Sequence, residues 1–165
     1  MFDPPVDPNS KSRLSAIKLD QASIKRGNPN IEHEREVAIF DIIESNRFEL
    51  DGRDDGPYTL ILSIVEDRLV FAVAQEADAT DTFTFVLSFT PLRRILKDYF
   101  TVCETYYQAI RTAPPSRIQS IDMGRRALHD DGSRVLVERL KGKITVDRDT
   151  ARRLFTLICA LHWKG

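Results

Sequence analysis

Residues 90–114 read T-P-L-R-R-I-L-K-D-Y-F-T-V-C-E-T-Y-Y-Q-A-I-R-T-A-P, and the flanking segments are arranged to serve this stretch. Thr90 suits a helix cap, and Pro91 suits the first helical position, where no backbone donor is needed. Leu92, Ile95, Leu96, Tyr99, Cys103, Tyr106 and Ile110 recur at helical spacing, and Phe100 and Tyr107 widen the stripe. Pro114 and Pro115 then stop the helix, since neither continues the backbone ladder. A long, one-sided, aromatic helix is expected here as the spine of the core.

Immediately upstream the period changes from helical to two. Tyr58, Leu60, Leu62 and Ile64 share one face of a strand over 58–65. Leu69, Phe71 and Val73 do the same over 69–74, and Phe83, Phe85, Leu87 and Phe89 over 82–89. Glu66 and Asp67 form a tight turn without glycine between the first two. The opposite face carries Ile61, Val65, Val70, Ala72 and Val86 among threonines and serines, with little of the charge of a fully wet face. It is expected to be covered by the N-terminal strand or helix, or by a second subunit.

The outer segments complete the pattern. Residues 13–20 alternate imperfectly and read as a strand, and Asn30 caps a helix running to about Ser45 with Glu32 and Glu34 in its first turn. Beyond Pro115, Ser116 opens one helical piece, Gly124 loosens the chain, and Ser133 opens another that closes at Gly142. A short strand over 144–146 follows, and Asp149 caps a last helix that is apolar on most sides. The fold class is α+β: an antiparallel meander of about four strands, one face covered by the long helix and the C-terminal helices. The expected domains are a disordered N-terminal tail over 1–11, rich in proline, and a single α+β domain over 12–165.

Composition narrows the function classes. The chain has 165 residues, 42% hydrophobic and 30% charged, and a formal net charge of −1. Near-neutrality gives no global attraction to nucleic acid or an anionic membrane. The N-terminus lacks a signal-peptide pattern and no apolar run is long enough for a bilayer, so a cytoplasmic location is expected. Cys103 and Cys159, the only cysteines, fall in apolar helical contexts and read as reduced thiols rather than a disulfide framework.

Three arginine doublets stand out: Arg93-Arg94, Arg125-Arg126 and Arg152-Arg153, in the similar frames T-P-L-R-R-I-L, D-M-G-R-R-A-L and D-T-A-R-R-L-F. Two follow a helix cap, where the dipole disfavours cations and backbone donors favour anions, so backbone and guanidinium together could hold a phosphate. The alternative is ion pairing with Asp98, Glu104, Asp122 or Glu138; Arg94 and Asp98 already have the i, i+4 spacing. His129, followed by Asp130 and Asp131, offers acid–base or cation chemistry, or a simple helix end. His33 sits among Glu32, Glu34 and Glu36 without the second histidine of a metalloprotease helix, and His162 reads as structural. No glycine-rich phosphate loop, nucleophile elbow or paired zinc cysteines occur, and nothing calls for a cofactor or metal.

The segments L-S-F-T-P-L-R-R-I-L-K-D-Y-F, C-E-T-Y-Y-Q-A-I-R, I-D-M-G-R-R-A-L-H and D-T-A-R-R-L-F-T-L-I-C, with E-H-E-R-E-V-A-I-F-D in the first helix, resemble an uncharacterised, UPF-type family of small alphaproteobacterial proteins. The resemblance implies a soluble bacterial domain and brings no activity, substrate or catalytic residue with it. Two functional classes follow from the residues. One is a non-catalytic binding or regulatory module contacting an anionic ligand or a partner protein, with a homodimer as a further option. The other is a small enzyme acting on a phosphorylated substrate, with an arginine anion clamp and His129 and Asp130, or His33, moving protons.

Overall fold

The structure, a computed structural model, describes residue 7 and residues 9–162. The tail expected over 1–11 therefore lies mostly outside the described residues. In chain order the elements are β1 (Leu14–Leu19), α1 (Pro29–Glu44), β2 (Phe48–Leu50), β3 (Tyr58–Val65), β4 (Arg68–Gln75) and β5 (Thr82–Ser88). These are followed by α2 (Thr90–Thr112), α3 (Pro115–Leu140), β6 (Ile144–Val146) and α4 (Arg148–His162).

The strongest period-two signals form the expected antiparallel meander. β3, β4 and β5 pair in unbroken register, Leu62 opposite Phe71 and Phe71 opposite Phe85. Glu66 and Asp67 take positive φ values of 50° and 61°, the backbone hand a two-residue hairpin needs. The fourth strand departs from the meander: β1 lies parallel to β3 on its far side, giving the order β1-β3-β4-β5 and a mixed sheet. β2 and β6 pair separately, Glu49 opposite Thr145. The fold is α+β.

The bulky sheet face is buried as its alternation requires. Tyr58, Leu60, Leu62, Leu69, Phe71, Val73, Leu87 and Phe89 join one hydrophobic cluster with residues of all four helices. The innermost helix, however, is α4 rather than α2. Nine α4 residues are buried, against Leu92, Leu96 and Ala109 in α2. Burying Leu154, Phe155, Leu157, Ile158 and Leu161 contributes on the order of 10 kcal/mol before ordering costs. Length explains the difference: at 23 residues α2 runs about 35 Å, longer than any strand beneath it. Its second half leaves the sheet and packs on α3, with Tyr107 61% and Ile110 50% exposed.

Other boundaries shift for local reasons. Asn28, not Asn30, caps α1 through Ile31 N at 2.9 Å, because Pro29 already occupies the first turn. Asp147, not Asp149, accepts from Thr150 N at 3.1 Å and starts α4. α3 runs unbroken through Gly124 and Gly132, where two pieces were expected. A Cβ on Gly132 would lie 2.2 Å from the Phe155 ring, so the glycine is where α3 crosses α4. The opposite sheet face is not covered by β1 or α1; β1 extends the sheet at its edge, and Ile61, Val65 and Val86 are 39%, 51% and 49% exposed.

Candidate functional site

α1 and α2 flank α4 without closing over it, which leaves a groove of about 740 Å³. Thr156, Cys159 and Ala160 of α4 form its floor. Glu34, Val37, Ala38 and Asp41 line the α1 side, and Tyr99, Phe100, Cys103, Glu104, Tyr106, Tyr107 and Arg111 the α2 side. The amphipathic stripe of α2 thus serves the groove as much as the core. Four exposed large apolar side chains lie on the two flanking helices: Val37 and Phe40 on α1, Tyr107 and Ile110 on α2. Arg125 reaches in from α3, its guanidinium carbon 5.0 Å from the centre of the Tyr106 ring and its Nε and one terminal nitrogen bonded to Asp122.

The buried titratable groups that line the groove are held neutral. Burial pushes the Tyr99 phenol and the Cys103 and Cys159 thiols above their ordinary ranges. Both thiols are free. Beneath the groove, His129 packs edge-on against Tyr99 at 5.6 Å and Phe155 at 5.1 Å. Thr156 Oγ1 donates to Arg152 O at 3.1 Å, so it accepts from His129 Nε2 at 2.8 Å and fixes the proton on that nitrogen. His129 Nδ1 is buried and without a hydrogen-bond partner. Desolvation, then the charges of Arg152 and Arg125, lower the His129 pKa to about 4.

The arginine doublets distribute as follows. Arg93 pairs with Asp67 in the β3–β4 turn, and Arg94, 94% exposed, lies 4.0 Å from Asp98. Arg125 and Arg126 both pair with Asp122. Arg152 pairs with Asp130, and Arg153 donates to Ser45 O at 2.7 Å. Of the six arginines, Arg152 and Arg125 both bear on the charge state of His129. Asp131 pairs with Arg134 at 2.5 Å, and His33 is exposed on α1. No group of three or more His, Cys, Asp or Glu residues suited to a metal occurs among the described residues.

Two structural polar residues escaped the sequence reading. Arg35, on the buried side of α1, donates from Nε to Ala160 O at 3.1 Å and from a terminal nitrogen to Lys25 O at 3.0 Å, and pairs with Glu32. It satisfies a carbonyl at the end of α4 that the helix cannot pair itself. Asn46 brackets Leu14, accepting from its N at 2.7 Å and donating to its O at 3.0 Å, so one side chain imitates a neighbouring strand. The available signal was an arginine at position 35 in the apolar series Ile31, Ala38 and Ile42.

The chain is therefore an α+β protein with a mixed four-stranded sheet and a groove between two helices over a third; among the described residues no helix is long and apolar enough to cross a membrane. It belongs to the uncharacterised protein family UPF0262, which it matches over residues 11–164. It is 54% identical over 165 residues to a UPF0262 protein of Nitrobacter hamburgensis, covering 100% of both chains. It is 59% identical over 153 residues to one from Agrobacterium fabrum, covering 93% of this chain and 96% of the relative. It is 58% identical over 157 residues to one from Mesorhizobium japonicum, covering 94% and 96%. No solved structure matches the chain.

Proposed function

We propose that this protein is a non-catalytic binding module that seats an amphipathic, basic helix of a partner protein in the groove between α1 and α2. The observation that carries this reading is the groove itself, with exposed apolar residues along both sides and acidic side chains at its rim. Glu34, Asp41 and Glu104 are exposed there against one exposed cation, Arg111, while Arg125 is bonded to Asp122, which it shares with Arg126. A helix with an apolar stripe and flanking lysines or arginines matches that surface in shape and charge. The neutral floor supports binding over catalysis, since thiols held protonated are poor nucleophiles.

The test uses two labelled model peptides, one of leucine and lysine and one of leucine and glutamate in the same amphipathic pattern, followed by fluorescence anisotropy. The Leu/Lys peptide is expected to bind and the Leu/Glu peptide not to. V37K with Y107K, both at exposed positions, should weaken binding at least tenfold while leaving the circular dichroism unchanged. Equal binding of the two peptides, or binding indifferent to the double substitution, refutes the groove as the site.

A second reading rests on the charges of Arg125 and Arg152 both bearing on the neutral His129: an enzyme acting on a phosphorylated substrate, with those arginines as clamp and His129 and Asp130 as acid–base groups. It predicts stabilisation by inorganic phosphate or nucleotides of about 2.7 kcal/mol at a hundredfold excess over the dissociation constant. A thermal-shift series without response removes it.

A further inference from the structure

The two edges of the four-stranded sheet are built differently. β1, at one edge, carries a register shift between Leu14 and Ala16 and the exposed Lys18, two devices that keep an edge from pairing with another chain. β5, at the other, reads T-F-T-F-V-L-S, with no charge, no proline and no break in its register with β4. β4 is its one strand neighbour, and among the described residues no backbone–backbone bond outside that ladder involves Thr82–Ser88. Phe83 and Phe85 stay only partly covered on the side facing the helices. Such an edge is a template for another strand.

We infer that β5 pairs antiparallel with β5 of a second copy, joining the two sheets into one across a twofold axis. The strand is self-complementary about Phe85. That register sets Phe85 against its counterpart and Phe83 against Leu87, apolar on apolar, on the inner face. On the outer face it sets Thr84 against Val86 and Thr82 against Ser88, with no like charges opposed. Charge at the strand ends favours the same direction. Antiparallel pairing brings the end that leads into Arg93 and Arg94 beside the partner's entry to β5, which follows Glu76, Asp78 and Asp81; Arg93 and Asp81 already pair within the chain, with Asp67 and Arg53, so the contact rests on Arg94 with Glu76 and Asp78. Arg94 there is 94% exposed, with Asp98 4.0 Å away. A second copy therefore supplies backbone partners, cover for two phenylalanines and compensating charge together.

The test is the mass in solution by light scattering across a concentration series, with variants at two exposed outer-face positions. Wild type is expected to have the mass of two chains. T84K with V86K opposes lysines across the axis and should weaken association on the order of tenfold or more. T84K with V86E instead sets a lysine opposite a glutamate at both crossings and should restore the dimer. Circular dichroism confirms that both variants stay folded. A wild type monomeric throughout, a dimer indifferent to the lysine pair, or failure of the lysine–glutamate pair to restore association each overturns the proposal. A monomer that instead captures an extended peptide on β5 overturns it in favour of a foreign strand.

Discussion

Alanine at Gly132 and alanine at Gly124 are the same chemical change in the same helix, and the structure gives them opposite signs. In a helix interior, alanine is favoured over glycine by about 1 kcal/mol. At Gly124 nothing lies within 4 Å of the added Cβ, so that gain is realised. At Gly132 the Cβ would sit 2.2 Å from two atoms of the Phe155 ring and 2.7 Å from a third. The ring is fully buried between Tyr99, 6.0 Å away, and His129, so it has no free direction in which to move. Overpacking costs about 1–3 kcal/mol, and with the ring unable to move the upper part of that range applies and outweighs the propensity gain. G124A should raise the melting temperature by about 2–3 °C, and G132A should lower it by a similar or larger amount. Thermal and urea unfolding followed by circular dichroism measure both, and a cycle with F155L isolates the contact, since the smaller side chain should recover part of the G132A loss. Equal stabilisation by both alanines would refute the close approach of α3 and α4, and with it the placement of α4 at the centre.

Three further outcomes follow from other contacts. His129 binds its proton more weakly folded than unfolded, so its contribution is full above about pH 6.5 and is lost as pH falls towards 4; H129F should flatten that slope in urea titrations. R35M strips Ala160 O and Lys25 O of their donors and should cost about 2–4 kcal/mol, whereas E32Q, at the more exposed end of the pair, should cost under about 1 kcal/mol. E66G relieves a left-handed backbone without touching the Asp67–Arg93 pair and should stabilise by about 0.5–1 kcal/mol, read as a higher urea midpoint at unchanged slope.

Local information carried most of the meander. The alternation of Leu60, Leu62, Leu69, Phe71 and Leu87 is a property of each strand alone, and its buried face came out as read. Parallel pairing of β1 with β3 spans α1 and β2, and nothing inside residues 14–19 encodes it. Depth was equally hidden. α2 and α4 both show one-sided or dense apolar patterns, and only assembly decides that one stripe lines a groove while the other fills the core. Among the arginines, the pairs Arg94–Asp98 and Arg126–Asp122 follow from helical spacing. Arg93–Asp67, Arg152–Asp130 and Arg153–Ser45 join distant segments and required the fold.

The helix that shields the sheet is made about sixty residues after β5. At a synthesis rate of about 5–20 residues per second, Phe71, Phe83, Phe85 and Phe89 emerge several seconds before their cover does. During that interval the nascent strands present an oily, uncharged surface on the ribosome. Such a surface is prone to aggregate until α4 has been made.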